Sequence, residues 1–211
     1  MKTALILCAS PQGITDAEKE YILGLHPDVF ICVDGGMKQA ADLKITPDVL
    51  VGDGDSGGFL FEFDGKTVKL PVEKDVTDLQ AAIDIACESA CGMIYVFGAL
   101  GGRQDHSLAN LLLLEYAHGL GMSGLILDAQ NEIRFFPGGT FEIENDLRYR
   151  FISILPLDPV LSGITLTGLK YPLKDTVLSR GDTLTMSNEF TSSTAKIEIK
   201  SGRSLIIRSN S

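Results

Sequence analysis

The chain has 211 residues, of which 45% are hydrophobic and 22% charged. That is enough to bury a sizeable core, and it excludes a disordered chain, a collagen-like repeat and a disulfide-stapled mini-protein. A net charge of −10 argues against a nucleic-acid binder held by phosphate contacts.

The charge is unevenly spread. Residues 1–130 carry 8 Lys and Arg against 19 Asp and Glu, and residues 131–211 carry 10 against 9. The first part uses 13 Asp and 6 Glu, and Arg103 is its one arginine. Surface helices favour Glu, so the Asp excess points to turns, caps or ligand sites. A composition change this sharp predicts two domains, 1–130 and 131–211.

In chain order, the apolar run Ala4–Cys8 reads as a strand. It follows a single Lys and is closed by Pro11, too short for the ~7–15 residues of a signal peptide core. It is therefore expected to be the first buried strand of a cytoplasmic protein. No apolar run approaches the ~20 residues needed to span a bilayer. Thr15 to Glu18 is a capping-box pattern opening a helix to about Leu25. A strand follows over Asp28–Val33, a short helix over Met37–Leu43 and a strand over Pro47–Val51. Thr67–Leu70 is a short strand. Thr77 with Gln80 repeats the capping pattern before a helix faced by Leu79, Ala82, Ile83 and Ala86. Met93–Phe97 is a strand, Asp105–His118 a helix and Leu125–Asp128 a strand. Alternating apolar strands and helices predict an α/β domain with a mostly parallel, Rossmann-like sheet.

From Ile133 the hydrophobic period changes to two, in Phe141–Glu144, Ile164–Thr167 and Ile197–Lys200. This predicts a small all-β domain, an antiparallel sandwich or barrel. Ser201-Gly202-Arg203 reads as the turn of a hairpin between Ile197–Lys200 and Leu205–Arg208. Cys8, Cys32, Cys87 and Cys91 show no CxxC spacing and no nearby His, so they read as reduced, buried thiols.

The chemistry is expected where strands of the α/β part end, because open α/β sheets bind ligands there. Four loops stand out: Asp34-Gly35-Gly36, Gly52-Asp53-Gly54-Asp55-Ser56, Lys74–Asp78, and Gly98 through His106. Asp128 to Asn131 closes the rim. Two carboxylates spaced like Asp53 and Asp55 can converge on a hard cation such as Mg²⁺. An EF-hand is rejected, since position 12 counted from Asp53 is Asp64 and a strand pattern precedes the loop. The strand–glycine loop–helix unit at Gly98–Gly102 is neither a Walker A loop nor a GxGxxG fingerprint, yet it can aim backbone N–H groups at an anion. So many carboxylates would repel a bare polyphosphate but can bind it through Mg²⁺. The residues thus point to Mg²⁺-dependent nucleotide or phosphoryl chemistry without naming a substrate.

Six motifs occur in order: Asp34-Gly-Gly, Gly52-Asp-x-Asp-Ser56, Lys74-Asp-x-Thr-Asp78, Gly101-Gly-Arg-x-Asp-His106 with Asn110, Gly168-Leu-Lys-Tyr171-Pro-Leu, and Ser187-Asn188-Glu189. Together they resemble the thiamin pyrophosphokinase family over nearly the whole chain. The resemblance implies transfer of a pyrophosphoryl group from ATP to the thiamin hydroxyl, giving thiamin diphosphate and AMP. It implies an α/β catalytic domain, a β-domain that binds thiamin, and a homodimer with thiamin between subunits. It implies Asp53, Asp55 and Asp78 as Mg²⁺ ligands, with Arg103 and Asp105 also catalytic. Asp34, Gly35, Lys74, Thr77, Gly101, Gly102, His106 and Asn110 would serve the nucleotide, and Tyr171, Ser187 and Asn188 the thiamin. Many relatives carry Trp where this chain has Tyr171; a Tyr still stacks, over less area. The alternatives are another Mg²⁺-dependent nucleotide transferase or hydrolase, and a non-catalytic thiamin- or nucleotide-binding regulator.

Overall fold

The structure, a computed structural model, describes residues 1–52, 65–69 and 75–210. It divides into two compact units, Met1–Ala129 and Gln130–Ser211.

The first unit alternates strands and helices: β1 (Lys2–Leu7), α1 (Asp16–Gly24), β2 (Val29–Val33), α2 (Gly36–Leu43), β3 (Val49–Gly52), β4 (Lys66–Lys69), α3 (Asp78–Glu88), β5 (Cys91–Phe97), α4 (Gln104–Gly119) and β6 (Ser123–Leu127). Its strands lie in the order β4-β3-β2-β1-β5-β6, and every pairing is parallel. The central strands are apolar throughout because both faces are covered. Residues 4–7 of β1, with Ile31, Cys32, Leu50 and Ile94, are almost wholly buried. The helices start where the sequence caps them. Thr15 and Glu18 form the full reciprocal box of α1, and the Thr77 hydroxyl accepts the Gln80 N–H at the start of α3. Strand order reverses between β1 and β5, which opens a crevice at their carboxyl ends.

The second unit is a two-sheet antiparallel sandwich. Its elements are β7 (Asn131–Phe136), β8 (Gly139–Glu144), β9 (Phe151–Pro156), β10 (Val160–Thr167), β11 (Leu173–Ser179), β12 (Asn188–Glu189), β13 (Thr194–Ile199) and β14 (Ser204–Ser209). One layer runs β12-β9-β14-β7 and the other β11-β10-β13-β8. Ile152, Ile154 and Ile206 of the first layer pack against Ile143, Leu161, Ile164, Leu166, Ile197 and Ile199 of the second. The three segments of clean alternation, β8, β10 and β13, share one layer.

Two expectations are corrected. Taken over the chain, the strands are mixed rather than mostly parallel, since β7, β9, β12 and β14 pair antiparallel. The expected hairpin over Ser201–Arg203 does not form. β13 pairs with β8 and β10, whereas β14 pairs with β7 and β9. The turn instead carries the chain from one layer to the other. It is held by the Ser162–Ser201 bridge and by Arg203, which forks onto the Asp158 carboxylate.

Candidate active site

A cleft of about 540 Å³ lies at the strand-order reversal of the first unit. Four segments wall it. Cys8, Ala9 and Pro11 follow β1, Val33 and Asp34 end β2, Asp75–Leu79 lead into α3, and the last runs from Gly98 at the end of β5 to Asn110 in α4. The first turns of α3 and α4 both open onto it. Their helix dipoles give the cleft a partial positive charge suited to phosphate oxygens.

Asp34 follows β2 in the left-handed region, with φ 44°. Its N–H donates to the Val51 carbonyl at 2.8 Å, and Gly52 gives its carboxylate room. A Cβ at Gly52 would stand 1.9 Å from Asp34 Oδ1. Asp78, half-buried, is the first residue of α3, one position after its cap Thr77. The two carboxylates act on Cys8 in the cleft wall. Burial above all, then Asp34 and Asp78, push its thiol up to about 12. The carboxylate oxygens of Asp34 and Asp78 fit a hard cation such as Mg²⁺. Among the described residues no three His, Cys, Asp or Glu side chains cluster as a metal site. Asp53 and Asp55, as well as Lys74, lie outside the described residues.

The glycine loop is bound to α4 from behind. Gly101 and Gly102 take φ of 93° and 64°, a left-handed pair that glycine tolerates without strain. Gly101 N–H donates to the Ser107 hydroxyl at 3.1 Å, and Asn110 Nδ2 donates to the Ala99 carbonyl at 2.7 Å. Arg103 projects into solvent and forks onto Asp105, from Nε at 3.2 Å and Nη2 at 2.6 Å. That bond, first among its partners, holds the Asp105 carboxyl below the usual range and raises the guanidinium. Asp105 also accepts the His106 N–H at 3.0 Å.

Of the site residues expected from sequence, Asp34, Thr77, Asp78, Gly101, Arg103, His106 and Asn110 line the cleft. Gly35 caps α2 and packs against Ala9, and Gly102 packs against Pro11. Tyr171, Ser187 and Asn188 belong to the second unit. Tyr171 is 56% exposed, with the Lys170 ammonium 5.7 Å from its ring centroid. Ser187 has φ 53°, and its N–H donates to Ser153 Oγ. Asn188 is 4% exposed. Sequence reasoning missed the Cys8–Pro11 segment as cleft wall and Ser107 as the anchor of the loop. The spacing of Ser107, one helical turn past Arg103, was its only signal.

The chain thus has two parts: an α/β unit with a cleft at its switch point, onto which two helix N-termini, Asp34 and Asp78 open, followed by a β-sandwich. The family profile described as thiamin pyrophosphokinase, catalytic domain, matches residues 25–122, and that described as thiamin pyrophosphokinase, vitamin B1 binding domain, matches residues 140–206. The chain belongs to the thiamin pyrophosphokinase family. It is 34% identical to the thiamine pyrophosphokinase of Bacillus subtilis (strain 168), over 99% of both chains. It is 28% identical to thiamin pyrophosphokinase 1 of Caenorhabditis elegans, over 83% of this chain and 76% of that protein. The crystal structure of the Bacillus subtilis enzyme superposes with a TM-score of 0.88 over the full length of both chains. That of the thiamin pyrophosphokinase from Geobacillus thermodenitrificans, 30% identical, gives 0.85 over 100% of this chain and 98% of the other.

Proposed function

We propose that the cleft of the first unit is the site of pyrophosphoryl transfer, binding ATP with Mg²⁺, and that the second unit binds thiamin. The reaction is that of the family: the bond between the α,β-bridging oxygen and the β-phosphorus of ATP breaks. A bond from that phosphorus to the thiamin hydroxyl oxygen forms, leaving AMP and thiamin diphosphate. The observation that carries this reading is the convergence of two helix N-termini and a left-handed glycine loop with Asp34 and Asp78 on one crevice.

In this reading the triphosphate lies over the Gly98–Gly102 loop and the first turn of α3. The Gly101–Gly102 loop, Thr77, Lys74 and Arg103 take its oxygens. Asp105 holds Arg103 in a fork, so the guanidinium is aimed before the substrate arrives. Asn110 fixes the back of the loop, and Gly35, Asp34 and His106 complete the nucleotide contacts. Asp78, with Asp53 and Asp55, would hold Mg²⁺. When bound, the ion neutralises phosphate charge and polarises the transferred group.

Each ring of thiamin is flat, and its thiazolium is cationic. Tyr171 offers it a ring face, and cation–ring contacts contribute roughly 0.5–2 kcal/mol. Ser187 and Asn188 belong to the same binding segment. We place this site at the interface of a homodimer, with the β-unit of one copy serving the metal site of the other, in the cytoplasm where ATP is supplied. Among the described residues no helix is long and apolar enough to cross a membrane.

The test is AMP formation from ATP. It should require both thiamin and Mg²⁺. AMP or ADP released without thiamin would indicate a nucleotide hydrolase instead, and binding of either ligand without turnover would indicate a regulator.

A further inference from the structure

Tyr171 stands on an exposed connection between β10 and β11, where little packing fixes the ring. What holds its backbone is Asn188. The Asn188 Oδ1 accepts the Tyr171 N–H at 2.9 Å and the Glu189 N–H at 3.0 Å. Its Nδ2 donates to the Tyr171 carbonyl at 2.8 Å. The amide thus closes on both polar groups of one residue, as an opposite strand residue would in an antiparallel ladder.

Below this clamp the backbone continues the same contact. Lys170 N–H donates to the Glu189 carbonyl at 2.8 Å and Thr191 N–H to the Gly168 carbonyl at 3.0 Å. Leu169 bridges Phe190. Lys170 Nζ is also paired with Glu189 at 2.7 Å. Asn188 itself is anchored in β12, opposite Ile152 of β9. Its side chain therefore extends a sheet one residue further, to the residue that bears the ring. Only a carboxamide offers an acceptor for the N–H and a donor for the C=O at this reach.

We propose that Asn188 is a positioning residue: its amide clamps the Tyr171 peptide and so presets the ring on which thiamin stacks. The proposal rests on the reading of Tyr171 as the thiamin platform. Both lone-pair positions of Oδ1 are used, one of the two Nδ2 hydrogens is on the Tyr171 carbonyl, and the residue is 4% exposed, so the amide serves thiamin through Tyr171 and not by touching it. A preset ring spares the complex the cost of ordering it on binding.

The chain contains no Trp, so Tyr171→Trp places a single indole at this spot. Fluorescence anisotropy and acrylamide quenching of that protein are compared with and without Asn188→Ala, with circular dichroism and melting as a check on folding. The expected result is lower anisotropy and a quenching constant raised about twofold or more in the folded double variant. In the otherwise native protein, Asn188→Ala should raise the KM for thiamin about tenfold and leave the KM for ATP unchanged. Combined with Tyr171→Ala, it should add nothing further. If Asn188→Ala does not fold, Asn188→Asp keeps the acceptor, loses the donor to the Tyr171 carbonyl, and should loosen the indole in the same direction. Unchanged anisotropy and quenching in a folded variant overturn the clamp. Additive effects of Asn188→Ala and Tyr171→Ala on the thiamin KM overturn it too, since they mean direct contact. A loosened indole with an unchanged thiamin KM in both single variants would leave the clamp standing and remove Tyr171 as the platform.

Discussion

Gly52→Ala separates the geometry of the cleft from the stability of the sheet. The added Cβ would stand 1.9 Å from Asp34 Oδ1, 3.0 Å from its Cγ and 3.4 Å from its Cα. Ordinary contact between such atoms begins nearer ~3.5 Å, so the carboxylate must retreat by roughly 1.5 Å. The Asp34 backbone cannot follow, because its N–H is bound to Val51 and its φ of 44° is already unusual. The displacement therefore falls on the side chain, and the far end of a side chain moves cheaply. The fold should lose no more than about 1–2 kcal/mol, the lower range for an overpacked site. A reacting geometry displaced by ~1 Å can cost about 10²-fold in rate. Steady-state AMP release under saturating substrates should thus show kcat down by about that factor, with a melting temperature within a few degrees of wild type. Gly36→Ala is the contrasting control. Its Cβ would stand 2.0 Å from the Leu7 carbonyl oxygen, a backbone atom that cannot rotate away, so this variant should fail by unfolding. A well-folded Gly52→Ala enzyme with near-normal kcat would refute the role given to Asp34.

Arg103→Lys keeps the charge but loses the fork now bound to Asp105, so activity should fall about tenfold or more; kcat and KM for ATP equal to wild type would make Arg103 surface charge. Tyr149 is buried beside Glu132 and between the guanidiniums of Arg148 and Arg208, and its phenol is pushed up to about 12, by burial first and then by Glu132. The folded form then holds its proton between pH 10 and 12 while the unfolded form releases it, so stability should fall as pH rises through that window, by at most about 1.4 kcal/mol per pH unit. Denaturant melts of Tyr149→Phe should show a shallower fall, and parallel curves would refute the assignment. Mixing Asp53→Asn with Tyr171→Ala subunits should restore up to about a quarter of wild-type sites if each site draws on two copies; confirmed exchange without recovered activity would place each site within one chain.

The cleft was legible because its chemistry sits on local signals. Thr77 marks a helix start, Asp34 and Gly98 mark strand ends, and parallel strands send all such ends to one edge. The sequence therefore assembled Asp34, Thr77, Asp78, Gly101 and Arg103 without knowing the strand order. It missed the Cys8–Pro11 wall, and for a physical reason. That segment carries no charge, and what puts it in the cleft is that β1 lies at the reversal, between β2 and β5. Strand order is a non-local property. Ser107 was missed for the opposite reason: a single buried Ser in a helix looks ordinary until its hydroxyl is seen to hold Gly101.

In the second unit, alternation identified the strands but not their partners. Ala195, Ile197 and Ile199 of β13 and Leu205 and Ile206 of β14 are all buried. Facing each other in one sheet or lying in opposite layers would bury them equally well, so hydrophobic pattern alone cannot decide between a hairpin and a crossing. The decision is made by Arg203 on Asp158 and Ser201 on Ser162, contacts some 40 residues apart in the chain. Asn188 carries the same lesson to function. A polar side chain beside Ser187 reads from sequence as a ligand for substrate. Buried, with its oxygen shared by two backbone N–H groups and its nitrogen on the Tyr171 carbonyl, it has the bonding of a strand rung. If Tyr171 is the thiamin platform proposed above, the contribution of Asn188 to recognition is the fixed position of that ring, and a substitution there should be felt only as long as the ring is present.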